Sequence, residues 1–428
     1  MKNHSNFVKK KLKNIVNEMT GSIENFVRNP SKDFVRNRKL TFENMMILLL
    51  SMGGGSIRKE LLDFSEYSIK TPTPSAFVQQ RNKILPSAFE YLFKEFTSLS
   101  NNYKLFRGYR VLAADGSVVN IAHNKDDKST YTKNSRGKGF NSLHLNALFD
   151  LTNKLYVDAC IQRRCQKNEH LALTDMIDNS SLAGKVIIIA DRGYESYNTL
   201  AHIQEKNWNY LFRIKDITSK GMASSFDLPL SGAFDKVIKI KITRRQTKEI
   251  KENPKKYKFL PKNSKFDYLE LKSPKFYDMS FRVVRFKISD NSYETIITNL
   301  DSNQFSPSDL KTLYHMRWGI ETAFRELKYA IGMVNFHSKK VDFIKQEIFA
   351  KLTMYNFCEM ITMNVVISQK QRKHEYQVNF TTAIHICRYF FKCSNKRNLP
   401  SVELLIQQNI LPVRKGRQDR RKLRAQSP

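Results

Sequence analysis

Acidic side chains are scarce in this sequence of 428 residues. It has 40 Asp and Glu against 73 Lys and Arg, which gives a formal net charge of +33. So much positive charge repels itself unless a polyanion neutralises it, and nucleic acid is the usual polyanion. A Lys-rich bias of the source genome is the alternative that composition leaves open. The first expectation is therefore a protein that acts on nucleic acid.

Cysteine pairs and long apolar runs are also missing. The five cysteines are scattered and form no Cys-x-x-Cys pair, which argues against a disulfide framework or a zinc site and fits a reducing cytosol. The most apolar window, "MMILLLSM", has about half the length that a membrane helix needs. The basic start has no long apolar run behind it, so we expect no signal peptide, no membrane partner and a cytoplasmic location, at the nucleoid when the protein is bound to DNA.

The pattern of apolar and polar residues changes several times along the chain. Residues 1–105 have apolar positions at helical spacing with basic residues between them, which predicts either a DNA-binding helical region or a helical cap on the next domain. From 106, strand and helix patterns alternate and a hairpin leads, which predicts a mixed α/β sheet. We predict a first α/β part at 106–215, a β-rich insertion at 216–290, a second α/β part at 291–345, a helical region at 346–410 and a basic tail at 411–428.

One predicted helix carries unusual charge. It contains "YHMRWGIETAFRELK" and begins at Ser306, a natural N-cap, before Pro307. Four polar residues, namely Tyr314, Arg317, Glu321 and Lys328, fall within an arc of roughly 60° at about 100° per residue. A separate apolar stripe lies beside them: Leu313, Ile320, Phe324, Leu327 and Ile331. A solvated face with intrahelical ion pairs is the simpler reading; a carboxylate flanked by cations also suits a metal site against a phosphate backbone.

Two aspartates qualify as further metal ligands. Asp115 in "VLAADGS" and Asp191 in "VIIIADRGY" each follow an apolar strand, and we expect a turn after each, at Gly116 and Gly193. An isolated Asp-Gly is most often only a turn residue. Phosphoryl transfer without a P-loop needs several carboxylates to hold hard divalent cations, however. Together with Glu321, the two aspartates predict a metal-dependent nuclease that acts on DNA.

These motifs resemble those of the DDE transposases of bacterial insertion sequences. The group is marked by a Tyr-x2-Arg-x3-Glu-x6-Lys signature, and Tyr314, Arg317, Glu321 and Lys328 satisfy each of its spacings. The first and second aspartate motifs look like "ADGS" and "ADRGY" here. The stretches "YETIITNL" and "NFHSKK" are similar to those that flank the third motif, and the resemblance spans residues from about 105 to 345.

The resemblance implies a ribonuclease-H-like core that a β-rich insertion interrupts before the glutamate. It implies that Asp115, Asp191 and Glu321 bind two Mg²⁺ ions, with Mn²⁺ as a possible substitute. Water would then attack the phosphodiester at the transposon end, and the freed 3′-hydroxyl would attack next.

The expected partners are the terminal inverted repeats and target DNA, and a homodimer would bridge two ends. By the same resemblance, Tyr314, Arg317 and Lys328 contact the DNA. Trp318 beside them either stacks on a base or simply packs.

Two other functions stay open from sequence. One is a stand-alone metal nuclease that cuts DNA but does not join a 3′-end to a target. The other is a non-catalytic DNA-binding protein. In each case basic residues should make DNA binding depend on salt, and the candidates are Arg244-Arg245, Lys255-Lys256 and the tail at 414–424. Solvated charge is the alternative for each cluster.

Overall fold

A computed structural model describes residues 2–36, 38–98, 103–134, 137–290, 292–365, 367, 375–393 and 401–413. It is a mixed α/β structure in which helices pack on both faces of one large sheet. Across these residues, no helix is both long and apolar enough to cross a membrane.

The predicted helical start is confirmed. Its helices are α1 (Lys2–Gly21), α2 (Phe42–Ser51), α3 (Ile57–Phe64), α4 (Pro74–Arg81) and α5 (Pro86–Ser98). The break between α2 and α3 contains three successive glycines, Gly53, Gly54 and Gly55. Side chains that accept a backbone N–H at the first turn cap three of these helices: Thr41, Ser56 and Thr73.

The α/β pattern that follows is also confirmed. Its elements are β1 (Arg110–Ile121), β2 (Tyr131–Asn134), β3 (Gly137–Asp150), β4 (Leu155–Arg163), α6 (Glu169–Asp178), β5 (Val186–Ala190), α7 (Tyr197–Glu205) and β6 (Asn209–Ile214). β3 and β4 form the predicted hairpin. β1, β5 and β6 run parallel and side by side, so their carboxyl ends lie at the same edge of the sheet.

The segment 216–290 contributes strands to the same sheet. Its elements, with the strand after it, are β7 (Phe234–Thr243), α8 (Lys248–Glu252), β8 (Tyr257–Phe259), β9 (Tyr277–Ser289) and β10 (Ser292–Thr298). In the described residues the sheet has ten strands in the order β2-β3-β1-β5-β6-β10-β9-β7-β8, with β4 also paired to β3. Because β10 pairs with both β6 and β9, the β-rich segment extends the sheet from that side.

The remaining elements are mostly helical. They are α9 (Pro307–Met316), α10 (Trp318–Tyr329), α11 (Val341–Thr362), α12 (Phe380–Lys392), α13 (Val402–Gln408) and a small pair of strands, β11 (Tyr376–Val378) and β12 (Ile410–Pro412). Nearly all of α11 is buried at the centre of the helical part. The basic tail beyond residue 413 lies outside the described residues.

Helices cover the two faces of the sheet in different ways. α9 and α10 lie on one face, and the predicted apolar stripe of this pair is buried, with Leu313, Ile320, Leu327 and Ile331 fully inaccessible. α6 and α7 lie on the other face. Side chains from α1, α2, α5, α11 and α12 share one hydrophobic core with β1, β3 and β4. The N-terminal helices therefore pack as a cap on the sheet.

Candidate active site

Asp115 lies in the middle of β1, which corrects the expectation of a strand that ends in a turn at Gly116. The strand continues to Ile121, and Asp115 is paired with Ala147 of β3. Gly116 is therefore a strand residue. The fixed backbone of a central strand orients the Asp115 carboxylate more firmly than a turn would.

A close approach on the opposite face explains the glycine. A Cβ at position 116 would collide with the ring of His144 and would approach Glu169 Oε1 to 3.0 Å. His144 Nε2 and Glu169 Oε1 are 2.8 Å apart, and this pair lies directly against the backbone of Gly116. Position 116 does require a glycine, but the reason is the close packing of His144 and Glu169 against its backbone and not a turn.

Asp191 directly follows β5, as predicted. Its backbone is extended, and its carboxylate accepts a hydrogen bond from the Gly193 N–H at 2.8 Å. Ala113 of β1 is the register partner of Ile189 of β5, and each aspartate comes two residues later on its own strand. Because side chains alternate along a strand, Asp115 and Asp191 share the face of Ala113 and Ile189, the one that α9 and α10 cover.

The predicted single helix is a pair of helices that meet at Arg317. Its capping box is confirmed, since Ser306 and Asp309 each accept the other's backbone N–H. At the junction the hydrogen bonds tighten to three-residue spacing: Arg317 N–H donates to Tyr314 O and Ile320 N–H to Arg317 O, both at 3.1 Å. The axis stays nearly continuous, because Arg317 keeps helical dihedral angles (φ −48°, ψ −35°).

Arg317 joins the helix carboxylate to the strand carboxylate. Its Nη2 donates to Glu321 Oε1 at 3.0 Å, and its Nη1 is 3.9 Å from Asp115 Oδ2. The Arg317 side chain is only 8% exposed, whereas that of Glu321 is 43% exposed at the rim. The buried guanidinium therefore lies between two of the three predicted acids.

Burial and its acidic neighbours strongly perturb Asp115. Loss of solvation raises the pKa of its carboxyl to about 6, and the charges of Asp191 and Glu321 add to the rise. The Gly116 N–H, at 2.8 Å, and Arg317 act in the opposite direction. All three acids thus contribute to one local field, and the site favours additional positive charge.

The other signature residues differ in exposure. Tyr314 is only 5% exposed, with its hydroxyl buried, so it faces the sheet, which corrects the expectation that it contacts DNA from the surface of the helix. Lys328 is half-buried, and burial lowers the pKa of its ammonium group. Trp318 is 53% exposed, with the Arg317 guanidinium 4.9 Å from its ring centre. Along the helix pair, Tyr314 of α9 is therefore buried against the sheet, whereas Trp318 at the start of α10 is exposed.

Two charged residues that sequence reasoning missed extend the same row. Leu211 of β6 is the register partner of Ile189, so Arg213 stands beside Asp191 on the next strand and on the same face. Arg213 Nε is 3.1 Å from Oε1 of Glu294 on β10, whose side chain is 13% exposed. The available signal was a charge within each apolar strand, but only the strand order shows that β6 lies beside β5 and that β10 lies beside β6.

Buried cations hold the end of α10 in place. Lys351 of α11 donates to Gly332 O at 2.7 Å and to Asn335 O at 2.9 Å. Arg388 of α12 donates to Ile331 O at 2.6 Å. These bonds satisfy carbonyl groups at and just beyond the helix end, where cations also suit the helix dipole. The helix that carries Glu321 is thereby tied to the helical core.

The basic clusters separate into structural and exposed groups. Arg244 is buried and donates to Pro261 O at 2.7 Å, so its guanidinium is structural, which corrects its place among the DNA-binding candidates. Arg245, Lys255 and Lys256 are exposed. The tail at 414–424 lies outside the described residues.

Carboxylates are the ligand type that a hard divalent cation prefers, and the raised pKa of Asp115 fits a site with a deficit of positive charge. Throughout the described residues, no group of three or more His, Cys, Asp or Glu side chains is spaced to hold a metal ion. With Arg317 between Asp115 and Glu321, the acids are neighbours and do not form a closed coordination shell.

Comparison with known proteins identifies the family. Residues 106–357 match the family described as "Transposase DDE domain", which is more than half of the chain, and the chain belongs to this family. The family implies an enzyme of DNA transposition that cuts DNA and transfers strands, generally with divalent metal ions. No curated protein matches the chain.

A solved structure with a similar outline is the piggyBac transposase in a synaptic complex with hairpin DNA, determined by cryo-EM. The likeness covers 97% of this chain and 87% of that chain, at 10% identity and a TM-score of 0.48. A likeness of this degree carries no functional argument.

Proposed function

We propose that this protein is the transposase of a bacterial insertion sequence, with a ribonuclease-H-like core that cuts the transposon ends and joins them to target DNA. The observation that carries the proposal is the placement of the acids. Asp115 and Asp191 share one face of neighbouring parallel strands, and Arg317 links Asp115 to Glu321 on the helix above them.

In this proposal Asp115, Asp191 and Glu321 hold two Mg²⁺ ions, for which Mn²⁺ can substitute. When bound, the ions supply activation of the attacking oxygen and stabilisation of the leaving oxygen. The protein positions the strand and neutralises its charge. Arg317 and Lys328 take phosphate oxygens.

Trp318 offers its exposed ring to a base at the rim, whereas Tyr314, whose hydroxyl is buried, packs between this row and the sheet. Arg213 has a half-exposed guanidinium in the same row, and we add it to the phosphate contacts.

The same proposal assigns a role to each segment of the chain. Residues 1–105 contribute DNA binding, 106–215 and 291–345 form the catalytic core, and 216–290 form an insertion that widens the sheet. Residues 346–410 support the core, and the tail at 411–428 adds basic charge. A homodimer bridges two transposon ends in the DNA complex, and the protein works in the cytoplasm on nucleoid DNA.

The test requires an end substrate, which the DNA beside the gene supplies: we expect short inverted repeats that bracket the reading frame. Asp115→Asn, Asp191→Asn and Glu321→Gln should each reduce cleavage of such an end to background while DNA binding persists. Asp175→Asn, on the exposed face of α6, is the matched control and should cut normally. Cleavage that survives any of the three changes would remove that residue from the site.

Precut ends decide between transposase and simple nuclease. With Mg²⁺, the wild-type protein should join a precut 3′-end to a target plasmid, and EDTA should abolish joining without releasing the DNA. Cutting without joining would indicate a stand-alone nuclease. DNA binding without either activity would indicate a non-catalytic protein.

A further inference from the structure

A cavity of about 580 Å³ opens on the face of the sheet opposite to the acids. It lies between α6, the start of α7, the turn at Gly221 and the stretch from Lys258 to Lys265. Pockets of this volume hold small ligands, and a DNA duplex cannot enter one. A single nucleotide can.

The cavity lining contains one lysine whose charge has no ion-pair partner. Lys258 is half-buried, its ammonium group forms no ion pair or hydrogen bond with any described residue, and the Tyr197 ring lies 5.7 Å from that group. Burial alone lowers the pKa of Lys258, and no carboxylate opposes this shift. A cation withdrawn from water with no partner is costly, so the site favours an anion from outside.

Glu195 is the acid in the described lining, and it forms no ion pair with Lys258. Glu195 Oε2 accepts the Lys215 N–H at 3.0 Å, and its Oε1 accepts the Met222 N–H. Both oxygens are thus used to fasten the loop that forms one wall. The first turn of α7, which begins at Tyr197, adds backbone N–H groups and the positive end of the helix dipole.

The rest of the lining is suited to a base or a sugar. Leu171, Met222, Leu260 and Pro261 form apolar walls, and His170 and Ser264 add polar groups. An anion with an apolar body attached is the ligand class that this combination fits.

The position relates the cavity to the catalytic acids. Glu195 follows Asp191 by four residues, about 14 Å at most along the chain. Asp191 directly follows β5, so the wall of the cavity at Glu195 lies close to one of the three acids along the same edge of the sheet.

We propose that this cavity binds one nucleotide of a single DNA strand, with its phosphate at Lys258 and its base or sugar against the apolar walls. The inference rests on the proposed function for its choice of DNA as the source of the anion. It adds a second strand-binding point on the face away from the acids.

The test is protection of Lys258 from acetylation, read by mass spectrometry on the full-length Asp191→Asn protein so that no cleavage occurs. A 12-nucleotide oligo(dT) should slow acetylation of Lys258 about fivefold or more. A 12-base-pair duplex and inorganic phosphate should slow it far less. The exposed Lys248 is the internal control. Equal protection by all three probes, or none by oligo(dT), would overturn the proposal.

A binding measurement supplies the second arm. Lys258→Met should weaken oligo(dT) binding and lower its salt slope by about 1, whereas Lys248→Met should change neither. An unchanged slope for Lys258→Met counts against the site. Neither arm depends on cleavage, so each can fail while the carboxylate variants still behave as a transposase requires, and the reverse also holds.

Discussion

Asp115→Asn should make the protein more stable while it abolishes cleavage. The carboxylate is held in a place that opposes its ionisation, because burial and the charges of Asp191 and Glu321 raise its pKa to about 6. Asn resembles the protonated acid in shape, and its Oδ1 can still accept the Gly116 N–H. The substitution removes a charge that the fold tolerates only for function.

The size of the effect follows from the two pKa values. The folded value of about 6 stands above the ordinary value of 3.8 by about 2, and each unit corresponds to 1.36 kcal/mol, so ionised Asp115 costs about 3 kcal/mol at most. The side chain is 24% exposed, and water screens part of this cost. We expect Asp115→Asn to gain about 1 to 3 kcal/mol at pH 7.5.

The pH dependence provides a sharper signature. A pKa that is raised in the folded state means that the folded protein binds the extra proton between pH 3.8 and about 6. The penalty is therefore absent below pH 3.8, grows as the pH rises through this window, and is complete above about 6. Urea denaturation in EDTA at pH 7.5 and near pH 4 measures it, and the advantage of Asp115→Asn should shrink towards zero at the lower pH.

Asp150→Asn is the matched control, with the opposite sign. Asp150 is fully buried, and its carboxylate accepts a hydrogen bond from Arg110 Nε at 2.7 Å. Its substitution leaves the buried Arg110 guanidinium without a counter-ion and should lower the free energy of unfolding by about 3 kcal/mol or more at pH 7.5. Two results would refute the electrostatic account of the site. One is an Asp115→Asn protein that is less stable than wild type at pH 7.5, and the other is a gain in stability that is the same at pH 7.5 and near pH 4.

Three further predictions follow from the same contacts. Lys351→Met removes the charged donor to Gly332 O and Asn335 O just after α10, and urea denaturation should show a loss of about 2 kcal/mol; an unchanged midpoint would show that these bonds do not hold the end of α10. Arg244→Met should lower stability by about 2 kcal/mol or more, whereas Arg245→Met should leave stability alone and reduce the salt slope of DNA binding by about 1; a reversed pattern would exchange their roles. At subsaturating Mg²⁺, where metal and proton compete for Asp115, cleavage should rise with pH through about 6, and a Mg²⁺ requirement that is the same at pH 5 and pH 7 would count against Asp115 as a metal ligand.

Much of the fold was predictable because local patterns are strong here. The apolar strand before Asp191, the hairpin of β3 and β4 and the capping box at Ser306 all have short-range causes, and each is confirmed. The prediction of a turn after Asp115 was wrong, because the glycine there is required by the close approach of His144 on the neighbouring strand. That contact joins residues 28 apart in the chain, and no local pattern contains it.

The site was predictable in part for the same reason. The spacing from Tyr314 to Lys328 is a helical period and can be counted, but the depth of each side chain depends on where the helix crosses the sheet. Sequence reasoning missed Arg213 and Glu294, because only the order of the strands in the sheet places β6 and β10 on the same side of β5. Arg244 looked like a DNA contact, and its burial reflects the loop that folds over it.

By itself the sequence determined the surplus of positive charge, the helical row from Tyr314 to Lys328 and the two strands that carry Asp115 and Asp191, since each depends on composition or on the period of one element. Only the tertiary structure decided which charges meet. Register between strands remote in the chain puts Asp115, Asp191 and Arg213 on one face, and the packing of α10 places Arg317 between two acids. Charges interact over a few ångströms of space, and the sequence alone does not specify those distances.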